Sequence, residues 1–364
     1  MLEFLQPIAQ AAQISVRPHH RPGIAIVGAG TIVDAGHLPA YHGAGLNVVG
    51  LHDIQTVRAQ ELAQRHGVST VYEELDALLH DPQIDVIDIA VTPGAVQDIA
   101  LRALRAGKHV LCQKPLALTL ADASHLVKAA QASNLILAVN QQMRFSEGVA
   151  AARAMVKQGW IGKPVHAEFA ISIQTDWTAW PWLLASPKLD LLYHSIHYLD
   201  TLRSWFGEPS QVFCLSARTP GQVAVGETRT ISSLTFADGQ TALVNVNHEN
   251  RAGDYHAAFR IEGDRGVIRG TLGLLYDYPH GRPDTLEVKS DLLPTNSWIP
   301  YPVTTRWIPD AFLGPMASLL HAIATGGTPE TSGEDNLQTL ALVDALYASA
   351  SSGQRTSLAL EERS

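Results

Sequence analysis

Cysteine is nearly absent: Cys112 and Cys214 are the two in 364 residues, far apart and outside any Cys-x-x-Cys or mixed Cys/His spacing. That argues against a disulfide framework and a structural zinc site, and points to a reducing compartment. Charge is sparse too, at 17% of residues, and it is not gathered into blocks; 26 Lys and Arg against 35 Asp and Glu leave a net charge of −9. Nucleic acids and anionic membrane surfaces reward basic patches, so neither is expected as a partner. No window approaches the run of about 18 apolar residues that a spanning helix needs. The opening MLEFLQPIAQAAQISVRPHHRPG lacks a basic segment followed by a long apolar core, which leads to the expectation of a cytoplasmic protein. With 46% hydrophobic residues, the chain reads as soluble and globular, long enough for two domains and suited to a small-molecule ligand.

From Gly23 short apolar runs alternate with amphipathic stretches. Strands are predicted at Ile24–Val27, Asn47–His52, Ser69–Tyr72, Asp85–Ala90, His109–Cys112 and Ile136–Asn140. Between them lie helices through His37–Tyr41 and over Thr56–His66, Leu75–His80, Ala95–Ala106 and Leu120–Ser133. Alternation at this spacing calls for a parallel, doubly wound α/β sheet of Rossmann type. After QQMRFSEG the composition changes. From Val165 the runs HAEFAISIQ, SSLTFADGQTALVNVNH and HAAFRIEGDRGVIRGTL, with turns at Asp238-Gly239 and near Gly263, predict antiparallel hairpins in an α+β domain with a broad sheet. The expected division is an arm over 1–22, a Rossmann domain over 23–145, and a second domain over 146–364 for substrate binding and oligomerisation. The arm reads as an amphipathic turn that packs on a neighbour. The helices Asp310–Thr325 and Asn336–Ser352 are candidates to pack back on the first domain, and Tyr278–Arg306 reads as a surface loop.

The turn after the first strand, GAGTIV, has the residues for a dinucleotide pyrophosphate. Gly28 allows a tight turn, Gly30 a close backbone approach, and the helix starting near Thr31 and Ile32 offers its amides and positive dipole end. Val33 replaces the third glycine of the usual motif. Asp53 closes the second strand, where a carboxylate accepts from adenosine ribose hydroxyls. Ile54, Gln55 and Thr56 follow it rather than a basic residue, which favours NAD over NADP. Thr92 and Pro93 follow the strand DVIDIAV, at the edge where open α/β sheets bind ligands, and are expected on the nicotinamide ribose side.

The blocks GAGTIVDAGHLPA, LHDIQTVRAQELAQRHGV, AGKHVLCQKPLAL, NQQMRF, WIGKPVHAEF, HYLDTLRSWFGEP and HAIATGGTPETSGEDNLQTLALVDALYASASSGQ resemble the Gfo/Idh/MocA oxidoreductases over nearly the whole chain from Gly23. The resemblance implies a second domain with a large open mixed, mainly antiparallel sheet, whose exposed face mediates homodimers or homotetramers. The family's Glu-Lys-Pro stands here as Gln113-Lys114-Pro115. By resemblance Lys114 lies near the nicotinamide and the reacting hydroxyl, as a catalytic and cofactor-contacting residue, with Gln113 beside it. Loss of the glutamate removes a charge that would raise the lysine's pKa, which suits a base role for a desolvated Lys114.

Many family dehydrogenases also carry Asp-x-x-x-His ahead of an apolar helix. Aligning HYLD within LDLLYHSIHYLDTLRSWFG puts His197 at the histidine and Tyr193 at the aspartate. On one helix these two share a face, and tyrosine handles the proton in some sugar-acting relatives. The other register pairs Asp190 with His194 but slips the following HYLD by three. No third ligand stands near His194 and His197 in sequence, so no metal is expected. Asp176, Trp177 and Trp180, in a tryptophan-rich stretch that also holds Gln174 and Trp182, suit the faces and hydroxyl edges of a sugar ring. Arg144, His194 and His248 are further substrate-binding candidates.

These residues imply an NAD-dependent oxidoreductase acting on a ring hydroxyl or ketone of a sugar, cyclitol or glycoside, with Lys114 and Tyr193 or His197 handling the proton. Two alternatives stand beside it: a redox-neutral enzyme that retains and recycles NAD for epimerisation, elimination or glycoside cleavage, and a non-catalytic NAD- or sugar-binding regulator.

Overall fold

A computed structural model describes residues 3–16, 21–295 and 297–358; residues 1–2 and 17–20 of the expected arm lie outside it, as do 359–364. The chain divides into two compact units. One comprises Ile14–Phe145 with Ile308–Leu337, and the other Ser146–Trp307 with Met1–Gln13 and Gln338–Ser364.

The first unit holds six strands: β1 (Ile24–Val27), β2 (Val48–His52), β3 (Thr70–Tyr72), β4 (Val86–Ile89), β5 (His109–Gln113) and β6 (Leu137–Asn140). All pair in parallel, in the order β3-β2-β1-β4-β5-β6. Strands β1 and β4 are buried along their whole length, as parallel strands covered on both faces must be. Chain order reverses between β1 and β4, and at such a switch point the carboxyl ends of the strands open a crevice. Gly28, Asp53, Thr92 and Lys114 all follow carboxyl ends of strands.

The helical run after β1, residues 31–43, contains a π turn at Val33–His37, where the Leu38 N–H bonds Val33 O. Pro39 accounts for it. Proline has no N–H for the carbonyl four residues back and its ring crowds that carbonyl, so the helix widens by one residue just before it. Within this unit the ring of Phe312 then packs against Gly36, where an added Cβ would lie 3.1 Å from it.

The second unit is built on nine strands: β7 (Pro164–Ser172), β8 (Pro209–Ala217), β9 (Arg229–Phe236), β10 (Thr241–Asn247), β11 (His256–Gly263), β12 (Gly266–Thr271), β13 (Thr285–Ser290), β14 (Ile299–Tyr301) and β15 (Thr356–Ser357). Their order is β14-β13-β12-β11-β7-β10-β9-β8-β15; β7 and β10 run parallel and the other neighbours antiparallel. Burial alternates strictly along β9, one face inward and one open, the pattern of a sheet covered on one side. On the covered face Phe169 stacks 5.0 Å from Tyr198 and 5.3 Å from Trp205, both on the helix Ile196–Phe206.

Two expectations need correction. Tyr278–Arg306 is not a plain loop, because it contains β13 and β14. Leu286 and Val288 alternate inward as a strand requires, but Pro279, Pro283, Pro294, Pro300 and Pro302 obscure that signal. Pro300 is tolerated because β14 is an edge strand. The described part of the N-terminal arm forms a helix, Gln6–Ala12, that packs on the chain's own helix Glu147–Lys157; Leu5 and Ile8 are buried, and Phe4 meets Trp160 at 5.8 Å.

Candidate functional site

In the first unit the turn after β1 is shaped by two glycines with different constraints. Gly28 has φ +110°, and a Cβ there would lie 2.4 Å from the carbonyl oxygen of Ala90, so the protein itself demands glycine. Gly30 has an ordinary φ, and a Cβ there would meet nothing within 4 Å. Its missing side chain leaves open space beside the exposed Thr31 and half-buried Ile32 at the start of the helical run, as close approach by a phosphate requires. Asp53 closes the turn from the next strand. One carboxylate oxygen accepts from the Ala29 N–H at 2.7 Å and the other from the Gln55 N–H at 2.8 Å. Thr92 is exposed at the N-cap of the helix Pro93–Arg105, with Pro93 in its first turn. These groups fit a dinucleotide.

Gln113 ends β5 and is nearly fully buried, while Lys114, next in the chain, is half-buried. Burial strips water from the Lys114 ammonium and pulls its pKa down to about 8. The Gln113 amide turns inward: its Oε1 accepts from the Lys114 backbone N–H at 2.9 Å, and its Nε2 lies 3.1 Å from His37 Nε2. Arg144, by contrast, is taken up within its own unit, paired with Asp335 at 2.7 Å and donating to Glu330 O at 3.3 Å.

In the second unit a polar cluster gathers at the carboxyl end of the parallel pair β7–β10. Asp190 is fully buried. Its carboxylate accepts from Ser195 Oγ at 2.9 and 2.8 Å, from Thr230 Oγ1, and from His248 Nε2 at 2.8 Å. Thr175 Oγ1 meets the other ring nitrogen of His248 at 2.8 Å, so both ring nitrogens have polar partners. His194 Nδ1 lies 3.7 Å from Asp190, and its half-buried ring stands 4.3 Å from that of His248 at 83°. Trp177 closes the cluster, its ring centre 4.9 Å from that of His248 at 66°.

Asp190, His194 and His248 each offer a ligand atom, all within 4.8 Å of one another, so His194 does have partners of ligating type that sequence distance concealed. The 2.8 Å between Asp190 and His248 is a hydrogen bond. With two hydroxyls also on Asp190, these residues make a hydrogen-bonded centre.

The segment expected as one helix breaks after Tyr193: Asp190–Tyr193 forms one short helix, His194 and Ser195 make a turn, and a second helix starts at Ile196. The i, i+4 relation between Tyr193 and His197 therefore does not hold. Tyr193 packs against a core of Trp177, Leu183, Leu189 and Ala224 and meets Trp182 edge-on at 5.4 Å. Burial raises its pKa against a smaller lowering from its bond with Ser186. His197 is buried against Trp307 at 5.3 Å. Asp176 is exposed and caps the turn Trp177–Ala179, accepting from Thr178 N at 3.0 Å and Thr178 Oγ1 at 2.5 Å, which lowers its pKa. Trp180 meets Tyr278 at 5.8 Å.

Sequence reasoning missed Ser195, Thr230 and Thr175 around Asp190, and His37, Tyr41, Asp88 and Asn140 in the first unit. The available signal was Asp88, a carboxylate inside the otherwise apolar run Val86-Ile87-Asp88-Ile89.

Residues 23–141 match the model of the oxidoreductase family with NAD-binding Rossmann fold, and residues 149–269 match the Gfo/Idh/MocA C-terminal domain. A D-apiose dehydrogenase of Paraburkholderia graminis is 30% identical over 92% of this chain and 89% of its own length. A 1,5-anhydro-D-fructose reductase of Ensifer adhaerens is 26% identical, over 90% of this chain and 96% of its own. An oxidoreductase from Agrobacterium radiobacter, solved with NAD+, L-tartaric acid and magnesium, superposes with a TM-score of 0.82 at 24% identity, over 93% of this chain and 98% of that one; it shares the fold. The chain belongs to the Gfo/Idh/MocA family of oxidoreductases, with an NAD-binding Rossmann domain.

Proposed function

We propose that the protein is an NAD-dependent dehydrogenase or reductase of a sugar, cyclitol or glycoside hydroxyl. The observation that carries this reading is Lys114, a lysine with its pKa pulled to about 8, following a carboxyl end of the same parallel sheet that presents the open turn at Gly30. Gly30 and the amides near Thr31 and Ile32 would seat the pyrophosphate, Asp53 would accept from the adenosine ribose, and Thr92 and Pro93 would border the nicotinamide ribose. Bound NAD would supply the hydride acceptor, or as NADH the donor. A carboxylate at 53 with Ile54, Gln55 and Thr56 beside it favours NAD over NADP.

An alcohol does not give up hydride unless its proton leaves as well, so a positioned base is required. Lys114 takes that proton when neutral. His194, held against the buried Asp190, supports a second proton-handling role better than Tyr193, whose raised pKa keeps its hydroxyl protonated. His248, Trp177 and Trp180 would orient the ring. The sugar names of the apiose and anhydrofructose relatives support the substrate class. We also propose assembly as a homodimer or homotetramer through the open sheet face, where Leu215 and Ile231 are paired neighbours and about half exposed, at 54% and 45%.

The test is NADH absorbance with purified protein and NAD across aldoses, branched pentoses, cyclitols, sugar acids and glycosides, repeated with NADP. Reduction with one class identifies the substrate family. Silence across the panel, with NAD binding demonstrated, overturns the freely exchanging dehydrogenase and turns the search to a retained cofactor.

A further inference from the structure

The parallel sheet buries a chain of ionisable and amide groups that the proposed reaction does not use. Asp88 stands in the middle of β4, fully buried. Its Oδ2 accepts from Tyr41 Oη at 2.7 Å and lies 2.6 Å from Nδ1 of the equally buried His37. Across the ring, His37 Nε2 is 3.1 Å from Gln113 Nε2 and 3.4 Å from Asn140 Nδ2. Gln113 Oε1 closes the chain on the Lys114 backbone N–H. The edge of Phe312 and the thiol of Cys112, its pKa raised by burial and by Asp88, complete the surroundings.

The contact with the Lys114 amide fixes every proton along this chain. A backbone N–H can only donate, so the Gln113 atom facing it is the oxygen. The Gln113 atom facing His37 is then the NH2 group, which can only donate. His37 Nε2 must accept, so the ring is neutral with its single proton on Nδ1, given to Asp88.

We infer that Gln113 and His37 are a matched pair of positioning residues. Gln113 holds His37 in the neutral Nδ1–H form, and the His37–Asp88 pair, anchored by Tyr41, holds the Gln113 amide in the orientation that fixes the Lys114 backbone. The exchange of glutamate for Gln113 is thereby compensated. A glutamate at 113 could still accept from the Lys114 N–H but would offer His37 Nε2 no donor, and the ring would take up a proton to meet it. Glutamine with a neutral ring, or glutamate with a charged one, leaves the cluster with the same net charge. The missing glutamate therefore does not by itself tune Lys114, which revises the expectation drawn from the sequence.

The first test rests on hydrogen bonds alone and only its kinetic arm on the dehydrogenase reading. In full-length protein with 15N-labelled histidine, long-range 1H–15N spectra should show an exchange-protected ring with the Nδ1–H pattern that His37→Gln removes, beside the one that buried His52 gives by donating to Tyr72 O at 2.9 Å. If that variant does not fold, Tyr41→Phe, which deletes the second donor to Asp88, should shift the same signal. Gln113→Glu should convert it to the doubly protonated pattern. An Nε2–H or doubly protonated His37 in the unaltered protein, or a Gln113→Glu ring that stays neutral, overturns the proposal. In the kinetic arm, Gln113→Glu should leave the Lys114 limb of the pH–rate profile in place. Gln113→Glu combined with His37→Phe, which leaves the new charge uncompensated, should move the limb about one pH unit higher. Absence of any turnover would sink the dehydrogenase reading and leave the spectroscopic result standing.

Discussion

At the scale of single residues, Lys114 sets the clearest expectation. With a pKa of about 8, it becomes a neutral base as pH rises, so the rate of alcohol oxidation should climb through that region and then level. Lys114→Ala should abolish this limb and lower turnover by about 10² to 10⁴, with NAD affinity kept within a few fold by titration. His194→Gln should also cut turnover strongly, whereas Tyr193→Phe should remain within a few fold of the parent. The opposite ranking in steady-state kinetics would return the proton to Tyr193. The place of Lys114 just past a strand was legible in the sequence, because Gln-Lys-Pro follows the apolar run that forms β5. Asp190 was not: its significance depends on His248 and Thr230, which reach it from the ends of other strands, and on Thr175 behind His248, and no spacing rule connects positions so far apart.

Whole elements were easier to read than their contacts. Strand β1 spans the predicted residues because a buried parallel strand is a continuous apolar run, and β9 alternates visibly because half of it faces water. The π turn at Val33–His37 had a local signal in Pro39, whereas the break at His194 is fixed by bonds to Asp190 from residues distant in sequence. The two glycines of the first turn should behave differently. Gly28→Ala forces both a positive φ and a backbone clash and should cost about 1–3 kcal/mol in chemical unfolding. Gly30→Ala should leave stability within about 0.5 kcal/mol while weakening NAD by roughly tenfold or more, because its Cβ occupies only the ligand's space. A further expectation concerns Asp284, which pins the start of β13 by accepting from Gly273 N at 2.8 Å and Ser146 Oγ at 2.7 Å. Burial raises its pKa to about 6, above its unfolded value. A raised carboxyl pKa means that stability present at low pH is lost as pH rises through about 6, by roughly 3 kcal/mol in all. Asp284→Asn should escape that loss, so its denaturation midpoint should gain on the parent between about pH 4 and pH 6 and hold that gain above; a gap that shrinks would refute the assignment.

On the scale of the whole molecule, no helix among the described residues is long and apolar enough to cross a membrane, and the exposed apolar surface of interest is the open sheet face. If copies meet there, Leu215→Lys with Ile231→Lys should lower the mass measured by light scattering and leave the unfolding transition of the protomer nearly unchanged. The chain passes from one unit to the other at 13/14, 145/146, 307/308 and 337/338, so neither unit is a continuous segment. Synthesis runs from the N-terminus, which gives this threading a temporal meaning. When residue 145 leaves the ribosome, the parallel sheet is complete in strands, yet Phe312 is still untranslated and nothing covers Gly36 and His37 from that side. The nascent Rossmann unit must therefore wait, with its buried acid and imidazole unsealed, while nearly half of the protein is made, and a chaperone that binds exposed aromatic and apolar surface would find its longest opportunity in that interval.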